Sequence, residues 1–140
     1  WPGRLQKTKW KGMPIVVDGA HNPHAAKQLA IERGTWTDQG SGIIWILGIQ
    51  KQKDMINILH NLIREKDLAW IVPIPSQRSW SKHEILRFCP KYKNQLKEAL
   101  NVKDVLSILR KQKEWPSPPP IITGSLYLIG DLFQRQILIS

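Results

Sequence analysis

Six residues near the start of the chain combine small, polar and titratable side chains in a pattern that suits anion binding. Positions 18–23 read Asp-Gly-Ala-His-Asn-Pro, between an apolar stretch and a helical pattern. Gly19 and Ala20 would let the backbone approach a ligand closely. The helix amino end favours an anion such as phosphate. His21 could donate a hydrogen bond to it, and Asp18 could accept one from a ribose hydroxyl.

The same six residues also have a purely structural interpretation. Asn22 can cap the helix, and Asp18 can fold back onto local backbone N–H groups. Because small polar turns are common, residue chemistry alone favours this interpretation over a binding site.

Predicted strands and helices alternate along the chain, which indicates an α/β fold with a mostly parallel sheet flanked by helices. Ligands of such sheets bind outside the carboxyl ends of the strands. The predicted strands are 14–17, 43–47, 70–74 and 121–123, with 137–139 as a possible closing strand. The predicted helices run from Asn22 to near Gly34, over 54–63, from Ser81 through Leu86, over 92–100 and 102–109, and from Gly124-Ser125 onward.

Composition limits the class of protein. The 140 residues suit one domain, and 41% hydrophobic residues exclude a disordered chain. The longest apolar run, 42–49, is too short for a membrane helix.

The chain starts with Trp1 and no signal peptide is recognisable, so we expect a piece of a longer cytoplasmic protein. Cys89, the only cysteine, excludes an internal disulfide and fits a reducing compartment.

The net charge of +10 suits contact with polyanions, a neighbouring domain or simply a basic surface. The basic residues are spread along the chain and form no block typical of a nucleic-acid tail, so nucleic-acid binding is not expected.

Three segments, in order, resemble the folylpolyglutamate and dihydrofolate synthases of the Mur ligase superfamily. Residues 17–26 are similar to the signature of that family, residues 1–6 to the stretch preceding it, and residues 123–130 to a motif near the family's carboxy terminus. The resemblance spans nearly the whole chain. It implies that residues 1–140 form a single Rossmann-like three-layer domain of the Mur ligase C-terminal type.

This resemblance also implies an activity for the parent protein. ATP would phosphorylate a carboxylate of dihydropteroate or the γ-carboxyl of a folate, and L-glutamate would attack the acyl phosphate. The partner would be the N-terminal ATPase domain, which would hold the phosphate loop and most Mg²⁺ ligands. This chain contains no Gly-x-x-x-x-Gly-Lys-Ser/Thr loop, so we expect it to be inactive alone.

By resemblance, four residues have expected roles. Arg4 and Asp18 would bind nucleotide, at the phosphates and the ribose. His21 would be catalytic and would lie near the phosphates or the glutamate carboxylate, and Ser125 would bind glutamate. Structural alternatives are a surface arginine for Arg4 and a helix cap for Ser125. Lys53-Asp54 resembles a family pair but follows Gln52 where an acidic residue is expected, which favours a solvated helix start.

The residues allow three further interpretations. The chain could belong to another Mur-type ligase, but such relatives usually carry a lysine in the corresponding turn. It could instead be a non-catalytic basic α/β module that binds nucleic acid. His21 and His24 are spaced for a metal in a helix, but no other ligand cluster supports a site, so no metal ligand is assigned to this chain.

Overall fold

The computed structural model describes residues 5–33 and 42–139. Six strands and five helices alternate along this part of the chain, as the sequence pattern predicts. The strands are β1 (Gln6–Trp10), β2 (Met13–Val17), β3 (Ile44–Leu47), β4 (Leu68–Ile71), β5 (Leu96–Glu98) and β6 (Ile121–Thr123). The helices are α1 (Pro23–Arg33), α2 (Met55–Leu62), α3 (Lys82–Phe88), α4 (Val102–Arg110) and α5 (Leu126–Gln134), with a short 3₁₀ turn at Pro90–Tyr92.

The six strands form one sheet in the order β1-β2-β6-β3-β4-β5. Strand β1 pairs antiparallel with β2, and every other pairing is parallel. After β5 the chain returns through α4 and inserts β6 between β2 and β3. The prediction of a mostly parallel sheet is therefore confirmed. The last strand, β6, lies beside β2, which is the first strand of the parallel part.

Helices cover both faces of the sheet. Helices α1, α2 and α3 pack on one face and α4 and α5 on the other, which makes the expected three layers. Strand β3 is apolar throughout because it is covered on both faces. Trp45 and Leu47 pack in the core on the side of α1, α2 and α3, and Ile46 packs in the core on the side of α4 and α5. Each of these three side chains is fully buried, as expected of a strand covered on both faces.

Some predicted elements are wrong in type or extent. The segment 92–100 is not a helix: it contains the end of the 3₁₀ turn and then β5, whose Leu96 pairs with Ala69 of β4. Strand β1 was not predicted, because only Thr8 and Trp10 of its five residues are buried and one of these two is polar. The expected closing strand 137–139 is reduced to one antiparallel bridge between Ile139 and Lys9.

A buried ion pair joins the end of α1 to Asp67, the residue just before β4. The Asp67 carboxylate accepts hydrogen bonds from both terminal guanidinium nitrogens of Arg33, at 2.9 and 3.0 Å. It also accepts from the backbone N–H of Ile43 and of Arg64 and from the indole N–H of Trp45. Burial lowers the pKa of Arg33, and the Asp67 charge opposes that shift. The guanidinium and carboxylate are thus held in the core by a dense hydrogen-bond network.

Candidate functional site

The loops after β2 and β6 meet at the carboxyl edge of the sheet. These two strands are neighbours, yet α1 and α5, which follow them, pack on opposite faces. Such a divergence opens a crevice at the strand ends, which is where ligands of open α/β sheets bind. The side-chain hydroxyl of Thr123, at the end of β6, donates to the carbonyl oxygen of Ala20 at 3.4 Å. The two segments singled out from the sequence are therefore in direct contact.

Asp18 lies at the tip of β2 and is only 6% exposed. Its Oδ1 accepts a hydrogen bond from the backbone N–H of Ala20 at 2.8 Å, and its Oδ2 accepts one from the backbone N–H of Leu5 at 3.0 Å. The carboxylate thus closes its own loop and holds the residue that precedes β1. This is the structural role foreseen from the residue types. A ribose contact by Asp18 stays a prediction.

His21 follows directly and lies partly exposed at the rim of the crevice. Its Nδ1 lies 2.8 Å from the carbonyl oxygen of Gly19, so the ring nitrogen that donates there is Nδ1. Nε2 makes no hydrogen bond within the described residues. His21 lines a cavity of about 360 Å³ together with residues of the 18–20 loop and of α1. The contact to Gly19 fixes the ring while leaving one nitrogen available to a ligand.

Asn22 caps helix α1 as predicted. Its side-chain oxygen accepts from the backbone N–H of Ala25 at 2.8 Å, and Pro23 occupies the first helical position. Within the described residues, the backbone N–H groups of His21 and Asn22 donate to no acceptor. His21 lines the cavity, and Asn22 and the helix amino end follow it directly in the chain. Unpaired N–H groups at a helix amino end are suited to a phosphate or carboxylate.

Ser125 caps helix α5 from the neighbouring strand. Its Oγ accepts from the backbone N–H of Tyr127 and of Leu128, at 3.1 and 3.3 Å, and the residue is 1% exposed. The hydroxyl hydrogen remains able to donate. The cap interpretation is confirmed, and the expected contact with glutamate stays a prediction.

Gly124, which sets up this turn, has a φ of +106°. A Cβ built on it would lie 2.4 Å from the carbonyl oxygen of Gly48, after β3. Only glycine satisfies both conditions, so the close packing of the β3 and β6 loops depends on it.

Asp54 lies at the start of α2, as the sequence predicts. Its carboxylate caps α2 by accepting from the backbone and side chain of Asn57. Lys53 makes no ion pair within the described residues.

A second polar cluster at this edge was not found from the sequence. The ammonium group of Lys51 forms an ion pair with Glu84 and lies 4.3 Å from the ring centroid of Trp80. The hydrogen bond from Lys51, followed by one from the backbone of Ser81, lowers the pKa of Glu84 to about 2. Ser81 and Glu84 form a capping box at the start of α3. The Ser-x-x-Glu spacing in the sequence is the signal that would have placed Glu84 at this helix start.

Arg4 lies outside the described residues, as do Trp1, Pro2 and Gly3 of the first resembling segment. Among residues 5–33 and 42–139, no three His, Cys, Asp or Glu side chains come together as a metal site would require. None of the described helices has the length and apolar character needed to cross a membrane.

The chain is similar to known proteins over almost its whole length. Residues 3–135 match the family described as "Dihydrofolate synthetase, C-terminal domain". The chain is 30% identical over 148 residues to a probable dihydrofolate synthetase of Schizosaccharomyces pombe, a match covering 96% of this chain and 34% of that protein. It is 32% identical over 143 residues to a folylpolyglutamate synthase of Lacticaseibacillus casei, covering 100% of this chain and 30% of that protein.

Solved structures share the fold. A Mycobacterium tuberculosis folylpolyglutamate synthase complexed with ADP and AMPPCP superposes with a TM-score of 0.78 at 21% identity, over 96% of this chain and 32% of that chain. A bifunctional folylpolyglutamate synthase/dihydrofolate synthase of Yersinia pestis, complexed with AMPPNP and Mn, superposes with a TM-score of 0.73 at 20% identity, over 97% of this chain and 31% of that chain.

Proposed function

This chain belongs to the family of dihydrofolate synthetase C-terminal domains, and we propose that it serves as that domain in an ATP-dependent ligase which joins L-glutamate to dihydropteroate or to the γ-carboxyl group of a folate. The chain spans about a third or less of the length of its curated relatives. We therefore propose that residues 1–140 act as one domain beside an N-terminal ATPase domain. The family match favours this function over that of the other Mur-type ligases.

One observation carries the proposal: the His21 loop and the Ser125 turn lie on neighbouring strands and touch through Thr123 and Ala20. A ligase of this kind must hold the phosphates of ATP close to the incoming amino acid. Two helix amino ends that diverge from adjacent strand tips offer two places for anions a short distance apart. Catalysis by this domain would consist of positioning and charge stabilisation.

Each site residue has a proposed part in this arrangement. His21, held by Gly19, would present Nε2 to the transferred phosphate or to the glutamate carboxylate. Asp18 would accept a hydrogen bond from the ribose of ATP, and Ser125 would donate its hydroxyl hydrogen to glutamate. Arg4 would approach the ATP phosphates.

The described residues suit nucleotide better than magnesium. The free N–H groups at His21 and Asn22 fit a phosphate. Asp18 is already engaged by two backbone N–H groups, and no second carboxylate joins it in a metal-binding group within the described ranges. We therefore place the ligands of Mg²⁺, which ATP-dependent ligases of this class would use, in the preceding domain, and we expect this chain alone to lack turnover.

The function is tested on the full-length parent protein. The measurement is phosphate release that depends on ATP, L-glutamate and either dihydropteroate or tetrahydrofolate. We expect His21→Ala to lower kcat/KM by about 100-fold or more, because a positioned group at the reacting phosphate is lost. Ser125→Ala is expected to raise KM for glutamate by roughly 10-fold, while Ser125→Thr, which keeps the cap and hydroxyl, restores most of it.

Matched controls separate the site from general damage. His83→Ala and Ser107→Ala change exposed residues of α3 and α4, and both should leave turnover unchanged. If the His21 and Ser125 variants kept full activity, the proposed ligase function would stand and the roles proposed for these two residues would be rejected. The absence of any folate-dependent turnover in the folded wild-type protein would reject the proposed function.

A further inference from the structure

The outer edge of the sheet carries a row of lysines that the proposed reaction does not use. Lys7 and Lys9 are exposed on β1, while Thr8 between them and Trp10 after them are buried. Lys11 follows in the turn after the strand. We call Lys7, Lys9 and Lys11 the lysine ladder. Together with Thr8, Gly12 and Ile139 they line a groove of about 430 Å³.

The charge of the lysine ladder is not neutralised by the described part of the protein. None of the three ammonium groups forms an ion pair there. The Lys11 ammonium lies 5.0 Å from the ring centroid of Trp10, and the Arg110 guanidinium lies 5.8 Å from that same ring. A second cation therefore reinforces the positive potential at the far end of the ladder, in a chain whose net charge is +10.

The ladder starts at the candidate site. Leu5, just before β1, donates its backbone N–H to the Asp18 carboxylate. In the antiparallel register Gln6 lies opposite Val17, at the site, and Trp10 lies opposite Met13, at the other end of β2. Strand β1 thus leads away from the crevice along the sheet edge for about 17 Å, the length of its five residues, and carries Lys7 and Lys9 with it.

The spacing of the ladder matches a particular polyanion. Lys7 and Lys9 are alternate residues of β1, so their α-carbons are about 7 Å apart, and Lys11 follows in the turn. In a γ-linked glutamate chain, five backbone bonds separate successive α-carbons, each bearing a free carboxylate, and extend to about 6 Å. Flexible lysine side chains can absorb the difference, so successive carboxylates can meet successive ammonium groups.

We propose that the lysine ladder binds the poly-γ-glutamate tail of a folate substrate or product. This inference rests on the proposed function, because it supposes that the ligase extends such a tail at the neighbouring crevice. Tails of three or more glutamates would gain affinity from the ladder, whereas a single glutamate would not reach it.

Edge-strand lysines also have a structural explanation, since exposed charges prevent edge-to-edge pairing of sheets. That explanation predicts increased self-association when the lysines are neutralised, and it predicts no dependence of binding on tail length. The two accounts therefore differ in a measurable quantity.

The test is the binding of free γ-linked di-, tetra- and hexaglutamate to the folded protein, at low and at physiological salt. We expect wild type to bind hexaglutamate about 10-fold more tightly than diglutamate at low salt, and the Lys7→Gln/Lys9→Gln variant to lose most of that ratio. The control is Lys103→Gln/Lys111→Gln, which removes the same charge from exposed positions in and just after α4 and should keep the ratio.

Three results would overturn the inference. These are a wild-type affinity that does not grow with tail length, an equal loss of the ratio in both double variants, and tighter ladder-dependent binding of a uridine hexanucleotide, which would indicate a nucleic-acid site. Because this assay needs no ATP and no catalysis, its failure is separate from any failure of the ligase assay.

Discussion

The Asp18 carboxylate accepts a hydrogen bond from the backbone N–H of Leu5 at 3.0 Å, so a side chain at the tip of β2 holds the chain where it enters β1. The same carboxylate accepts from Ala20, two residues further along. One buried acidic group therefore ties the candidate anion-binding loop to the edge strand that carries the lysine ladder. Asp18 therefore has a structural role that does not depend on any ligand.

The Asp18→Asn substitution should destabilise the fold. The amide retains one acceptor oxygen, but its NH₂ group then faces a backbone N–H, so one charge-assisted hydrogen bond is lost and a donor is left buried. We expect a loss of about 1.5–3 kcal/mol in the free energy of unfolding. Urea denaturation of wild type and variant measures it. An unchanged midpoint would mean that these two hydrogen bonds contribute little and that Asp18 is available mainly for a ligand.

The Gly124→Ala substitution should be harmful despite its small size. The added Cβ would overlap the carbonyl oxygen of Gly48, and the φ of +106° disfavours any L side chain. We expect a loss of about 2–3 kcal/mol and a displaced Ser125 turn. The control is Gly130→Ala in α5, where a Cβ meets nothing within 4 Å. That change should stabilise the helix by up to about 1 kcal/mol, so thermal unfolding should shift in opposite directions for the two variants.

The Asp67→Asn substitution should remove the anion that offsets the buried Arg33 charge. The side chains are 1% and 2% exposed, and the variant leaves a guanidinium in the core without its counter-charge. We expect a loss of roughly 3–5 kcal/mol. Asp131→Asn is the matched control, because its pair with Arg135 is exposed and lies one helical turn away, and it should cost under about 0.5 kcal/mol. Similar losses in the two variants would contradict this account.

The Glu84–Lys51 pair should contribute to the acid sensitivity of the protein. The pKa of Glu84 is lowered from 4.5 to about 2, mainly by the Lys51 hydrogen bond, so the folded state favours the ionised carboxylate. The resulting stability is fully present above pH 4.5 and is lost as the pH falls from 4.5 towards 2. Glu84→Gln should therefore lower stability at pH 7 and flatten its decline between pH 4.5 and 2.

Thermal unfolding at several pH values tests this prediction. The control is Glu114→Gln, an exposed residue outside any described ion pair, which should reproduce the wild-type pH profile. If Glu84→Gln declined with pH as steeply as wild type, other carboxylates would account for the acid sensitivity.

The sequence alone determined the elements whose signals are local. Helix α1 could be predicted because Asn22 and Pro23 are a cap and a first-turn residue, and both act through neighbours three or four positions away. Strand β3 could be predicted because an uninterrupted apolar run needs burial on both faces. The family resemblance and the loop at residues 18–23 likewise depend on contiguous residues.

Only the tertiary structure decided which of these segments meet. The insertion of β6 between β2 and β3 places Thr123, two residues before Ser125, against Ala20, although Thr123 and Ala20 are 103 positions apart. Strand β5 exists because β4 offers Leu96 a pairing edge, which outweighs a weak local helical pattern. Contacts between distant residues depend on how a whole sheet buries its faces, so local spacing could name the site residues but could not bring them together.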